Sequence, residues 1–90
     1  MSGVKIALVT GAGSGIGKAV ALALMGEGYA TVLTGRRREP LDAVAREGKD
    51  ALVVPADVGN AESVDALFAT IKERYGRLDL LFNNAGVTAP

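Results

Sequence analysis

The feature of this ninety-residue sequence that most narrows its possible folds is a repeated switch between two hydrophobic periods. Ile6-Ala7-Leu8-Val9 is a short unbroken apolar run ended by Thr10-Gly11, as expected of a strand buried on both faces. From there the spacing lengthens to three and four, through Ile16, Val20, Ala23 and Leu24, which predicts a helix with that stripe inward, closed by Gly26 and Gly28. The pattern then repeats. Thr31 to Thr34 reads as a second strand and Gly35 to Glu39 as a polar loop. Pro40 suits the first residue of a helix carrying Leu41, Val44 and Ala45 before Gly48. Ala51 to Pro55 reads as a third strand. Asn60 is a suitable N-cap for a helix with Val64, Leu67, Phe68, Ile71 and Tyr75 on one face and Gly76 past its end. Leu78 to Phe82 reads as a fourth strand, followed by Asn83-Asn84-Ala85-Gly86.

The order β-α-β-α-β-α-β with short connections predicts an α/β fold in three αβα layers, a parallel sheet with right-handed crossovers and strand order 3-2-1-4. In such sheets a ligand sits beyond the carboxyl ends of the strands, near the switch point between strands 1 and 4. Composition removes other chemistries. The chain has no cysteine and no histidine, which excludes disulfides, thiolate catalysis and the usual zinc spacings within these residues. Ten basic and ten acidic side chains balance, so no bulk charge calls for nucleic acid or an anionic membrane. The longest apolar run, Ala19 to Met25, has seven residues, against about 20 for a membrane-spanning helix. With no leader-like stretch at the start, the expectation is a soluble, cytoplasmic chain.

Thr10-Gly11-Ala12-Gly13-Ser14-Gly15-Ile16-Gly17 lies between strand 1 and helix 1. Glycines there let the backbone turn sharply and approach a bulky anion, and the free N–H groups heading the helix face its phosphates. A phosphotransferase loop of the Walker type would need glycine at position 12 and a hydroxyl at 19, where the sequence has Ala12 and Ala19. The G-x-G-x-x-G fingerprint also fails, since its last glycine would fall on Ile16 or Lys18. What fits is T-G-x-x-x-G-x-G, with glycine at 11, 15 and 17.

On this spacing, on Asp57-Val58 after strand 3 and on Asn83-Asn84-Ala85-Gly86 after strand 4, the sequence resembles the short-chain dehydrogenase/reductase family over nearly its whole length. The resemblance implies a Rossmann-like fold, of which residues 1–90 would be the N-terminal, cofactor-binding part of a larger doubly wound domain. It implies hydride transfer between a nicotinamide cofactor and a small-molecule carbonyl or alcohol, and a homo-oligomer at full length. It also implies roles for individual residues. Gly11, Ser14, Gly15, Ile16 and Gly17 would hold the pyrophosphate, Asp57 and Val58 the adenine, and Asn84, Ala85 and Gly86 would pack beside the adenine ribose. Apart from the resemblance, the position of Lys18 one turn into helix 1 makes it a candidate to touch a phosphate, without a tyrosine partner in the sequence.

Gly35-Arg36-Arg37-Arg38 stands where a carboxylate would favour NAD by accepting both ribose hydroxyls. Gly35 leaves room and Arg36, with Arg37 beside it, offers a fork of donors suited to a 2′-phosphate, so the expected cofactor is NADP, with NAD as the alternative. The family's catalytic Tyr-x-x-x-Lys is not present. Tyr29 and Tyr75 are followed four residues later by Leu33 and Asp79, so no catalytic residue is assigned within the chain, and the acid–base groups are expected beyond Pro90. The competing expectation is a dinucleotide-binding module without catalysis. Strand 4 would be interior in the complete sheet, and in ninety residues Leu80, Leu81 and Phe82 would form an unprotected apolar edge.

Overall fold

A computed structural model describes residues 3–84. Its elements run β1 (Ile6–Thr10), α1 (Gly15–Gly26), β2 (Ala30–Thr34), α2 (Arg38–Glu47), β3 (Ala51–Val53), α3 (Ala61–Arg74) and β4 (Leu80–Asn83). The four strands form one parallel sheet in the order β3-β2-β1-β4, as the alternation of periods predicts. The register aligns Thr10 with Thr34 on one side and with Asn83 on the other, so three strands end at the same level and release their loops along one rim.

All five residues of β1 and all five of β2 are buried, which is why both read as continuous apolar or β-branched runs. Successive side chains point to opposite faces and build two cores. Ile6, Leu8 and Val32 pack with Leu67 and Ile71 of α3 on one face. Val9 and Leu33 pack with Ala21 and Met25 of α1 and with Leu41 and Val44 of α2 on the other. Each fully buried Leu or Val in these layers contributes about 1.5–3 kcal/mol through area removed from water.

The helices depart from the sequence expectation in instructive ways. In α1 the buried positions are Gly17, Ala21 and Met25, whereas Ile16 is 67% exposed and Ala23 faces solvent. The predicted stripe is therefore rotated from the buried face: Val20 and Leu24 still pack against the core, but Ile16 and Ala23 do not. This helix is apolar on nearly every side, so hydrophobicity alone does not select a face; at its start the choice follows from Gly17, where a Cβ would collide with the Gly11 carbonyl. α2 begins at Arg38, two residues ahead of the predicted start, with Pro40 third in the helix. None of the first four N–H groups of a helix has an intrahelical acceptor, so proline is tolerated throughout that turn. In α3 the expected cap is present: Asn60 Oδ1 accepts the Ser63 N–H at 2.9 Å. Leu67 and Ile71 are buried, but Phe68 is 40% exposed.

β3 ends at Val53 rather than Pro55, although Val54 N–H still donates to Leu33 O and Ala56 N–H to Gly35 O, with the donorless Pro55 between them. β4 starts at Leu80, not Leu78; Asp79 occupies the position ahead of it, donating its N–H to Ile6 O and accepting the Ile6 N–H on Oδ2, each at 2.8 Å. Arg77 closes on the same carboxylate, its Nη2 2.6 Å from Oδ1. Among the described residues β4 pairs only with β1, and Leu81, 50% exposed, lines an open apolar groove with Leu8, Val64, Leu67 and Phe68. No described helix is long and apolar enough to cross a membrane.

Candidate functional site

The loops released along the carboxyl rim of the sheet surround a continuous cleft. One part, of about 430 Å³, is lined by Gly11, Gly35, Arg36, Ala56, Asp57, Val58 and Gly59. An adjoining part, of about 370 Å³, lies over the glycine loop and the start of α2, with Ser14, Arg37 and Pro40 in its wall. Gly11, Gly35 and Arg36 belong to both. The combined space is in the range that holds a cofactor-sized ligand.

The glycine loop takes its shape for two different reasons. Gly11 and Gly15 sit at φ +63° and +58°, in the left-handed region that costs a side chain roughly 1–2 kcal/mol. Around Gly15 there is open space, so the need is conformational and no protein atom would block a Cβ there. Gly17 has an ordinary φ, but a Cβ on it would be driven into the Gly11 carbonyl and would stand 3.2 Å from Asn84 Nδ2. The start of α1 is thereby seated directly on the turn that follows β1.

Ser14 is the N-cap of α1 in extended conformation, and its side chain makes no capping hydrogen bond. The first turn of the helix also carries no acidic residue. The amides of Gly15, Ile16 and Gly17 thus head a helix whose partial positive charge the chain does not offset with a cap or a carboxylate. α3 is different, with Asn60 as cap and Glu62 in its first turn.

Asp57 is held by its own turn. Its N–H donates to Ser63 Oγ at 2.8 Å, and its Oδ1 accepts the Gly59 N–H at 2.9 Å. Arg36 reaches across from the end of β2, placing Nη2 3.5 Å from Asp57 Oδ1. Arg37 is the N-cap residue of α2 and pairs with Glu39 at 3.9 Å. Outside the cleft, in the groove beside β4, Thr10 Oγ1 donates to Asn83 Oδ1 at 2.9 Å, tying the ends of β1 and β4 together.

The structure therefore gathers Gly11, Ser14, Arg36, Arg37, Asp57 and Val58 around one cleft and places Gly15, Ile16 and Gly17 at the head of α1 beside it. Asn84 adjoins Gly17, and Ala85 and Gly86 lie outside the described residues. Lys18 does not belong: its Nζ is 3.1 Å from Glu47 at the last turn of α2, so it links two helices instead of facing the loop. Three contributors escape sequence reading. Gly59 and Ser63 shape the Asp57 turn, and Pro40 supports the loop, its Cβ lying where a side chain on Gly13 would come within 2.8 Å. The sequence Asp57-x-Gly59 is an Asx-turn signal that could have disclosed the first of these.

A parallel sheet in the order 3-2-1-4 with a glycine loop over its switch point defines a Rossmann-like α/β domain. The family model for short chain dehydrogenases matches residues 5–90, and the chain belongs to that family. An uncharacterized oxidoreductase of Staphylococcus aureus (strain MW2) is 50% identical over 84 residues, which cover 91% of this chain and 36% of the relative. Among solved structures, a metagenomic short-chain oxidoreductase in complex with NADP superposes with a TM-score of 0.88 at 40% identity, over 92% of this chain and 39% of that one. An NADPH-dependent reductase involved in bacilysin biosynthesis gives a TM-score of 0.90 at 30% identity, over 98% of this chain and 37% of that one. The chain thus spans little more than a third of the length of the relatives it matches.

Proposed function

We propose that these residues form the NADP-binding part of an oxidoreductase that moves hydride between NADP(H) and a small carbonyl or alcohol substrate. The observation that carries the choice of NADP is the pair Gly35 and Arg36 at the end of β2. The glycine stands where a carboxylate would repel a 2′-phosphate and leaves room there, and the guanidinium of the next residue stands in the cleft wall.

In this reading the amides of Gly15, Ile16 and Gly17, with Ser14, hold the pyrophosphate at the head of α1, Gly11 letting the backbone come close. Asp57 and Val58 take the adenine, Asn84, Ala85 and Gly86 lie by its ribose, and Arg36 and Arg37 take the 2′-phosphate. The family resemblance and the gathering of the described members at one rim support these roles. When bound, the cofactor supplies the hydride-carrying carbon; the chain contributes binding and orientation. Neither Tyr29 nor Tyr75 has a lysine four residues on, so proton transfer is assigned to parts of the whole protein that these ninety residues do not span. A cytoplasmic, homo-oligomeric whole protein acting on small molecules, without nucleic-acid or membrane partners, completes the proposal, in keeping with the balanced charge.

The test is NADPH titration of the whole protein that carries these residues, followed by cofactor fluorescence. Arg36→Asp should weaken binding by about 1–2 kcal/mol, solvent screening of this exposed side chain keeping the loss below that for a buried contact. An unchanged dissociation constant would remove Arg36 from the site.

A further inference from the structure

Each arginine of the triplet has its own carboxylate, but the three pairs differ in where they point. Arg37 and Arg38 turn to Glu39 and Asp42 on their own helix or its entry, at 3.9 and 3.5 Å. Arg36 instead crosses the cleft to Asp57, on the turn after β3. The two ends of that bridge are not equally free. Asp57 is fixed through its N–H to Ser63 and through Oδ1 to Gly59, whereas the Arg36 side chain is 79% exposed on a flexible stem. The carboxylate is thus the anchor and the guanidinium the moving part.

Both residues line the same cavity, so the negative charge of Asp57 is felt by any ligand group that Arg36 receives. A 2′-phosphate is anionic and must share the guanidinium with that carboxylate. A 2′-hydroxyl is neutral, so the carboxylate does not repel it and can accept its proton in a hydrogen bond. Resting on the NADP reading above, we propose that Asp57 is a specificity-determining residue: it holds Arg36 across the cleft, cancels part of its charge there, and limits how strongly the chain prefers a 2′-phosphate to a 2′-hydroxyl. An adenine contact by Asp57 would be common to both cofactors and would leave that preference alone.

Asp57→Asn isolates the charge, because the amide oxygen can still accept the Gly59 N–H and the backbone bond to Ser63 is untouched; Asp57→Ser, with a smaller acceptor, is the second variant. Dissociation constants for NADPH and NADH would be measured on the whole protein that carries these residues, for the wild type, both variants, Arg36→Ala and the Asp57→Asn/Arg36→Ala double variant. The expected result is a rise of about 1.5- to fivefold in the preference for NADPH on losing Asp57, the range for freeing an exposed charge pair. The rise should shrink as salt is added and vanish in the Arg36→Ala background. A preference that stays constant in both variants, or that falls, overturns the proposal. If Arg36→Ala collapses the preference while the Asp57 variants do not move it, the NADP reading stands and only the role of Asp57 falls. If Arg36→Ala leaves the preference unchanged, or the wild type binds neither cofactor, the NADP reading itself fails and this proposal with it.

Discussion

Replacing Gly17 by alanine sets two opposing effects against each other at one residue. Alanine is the better helix former, and in an unconstrained helix interior the change would stabilise by about 0.5–1 kcal/mol. Here the added Cβ meets the Gly11 carbonyl carbon at 2.7 Å and its oxygen closer still, with Asn84 Nδ2 at 3.2 Å. Two of these neighbours are backbone, so relief requires α1 to lift from the turn after β1, an overpacking cost of about 1–3 kcal/mol. The net expectation is a loss of about 1–2 kcal/mol, which for a domain of this size lowers the melting temperature by roughly 4–15 °C. Gly26→Ala in the same helix is the internal control. Nothing lies within 4 Å of a Cβ there and its φ is not positive, so the same substitution should gain about 0.4–1 kcal/mol. Urea unfolding followed by circular dichroism measures both. Two changes of the same sign would refute the argument that contact with Gly11, not helix propensity, decides position 17.

Gly15→Val should abolish NADPH binding while leaving helical content near the wild-type value, because a β-branched side chain is strained at φ +58° even with open space around it; equal affinity would mean the loop is only a turn. The Arg77 guanidinium, and next the Ile6 N–H, hold the Asp79 carboxyl below the ordinary carboxylate range. Its ionised form therefore favours the folded state: that contribution is complete above about pH 4 and is lost as pH falls through the lowered value. The urea midpoints of wild type and Asp79→Asn should accordingly converge below about pH 4, and a constant gap down to about pH 3 would contradict the assignment. Finally, the exposed Leu81 on the open edge of β4 should make the ninety-residue chain self-associate with concentration, and Leu81→Lys should suppress this in size-exclusion chromatography; a monodisperse wild-type monomer would count against it.

The sheet was legible because β1 and β2 are buried on both sides and carry unmixed apolar or β-branched runs, and because glycine or asparagine marks several helix ends. The inward face of α1 was not, since Ile16 is large and exposed while Gly17 is small and buried, the reverse of what a hydrophobic stripe assumes. Strand and helix limits shifted for backbone reasons: Pro55 interrupts the donors after β3, and Pro40 is compatible with any position in a first turn. In the site, the positions of Gly11, Asp57 and Arg36 could be read from strand ends. The bridge between Arg36 and Asp57 could not, because it joins residues 21 apart whose distance only the pairing of β2 with β3 determines.

The two cores on opposite faces of the sheet also give the cleft its dimensions. One wall, with the glycine loop, Pro40 and the arginine turn, rides on the layer of Ala12, Met25, Leu41 and Val44. The opposing wall, with Asp57, rides on the layer of Ala56, Leu67 and Ile71. The aperture is therefore a gauge of how thickly each layer is filled: a methylene added to Val44 or removed from Ile71 would be passed to the opening through Leu41 and Ala56, which belong both to these layers and to the cleft lining. Remote apolar substitutions become a means of tuning which ligands pass, and two faces that never meet through the sheet come to negotiate at its rim.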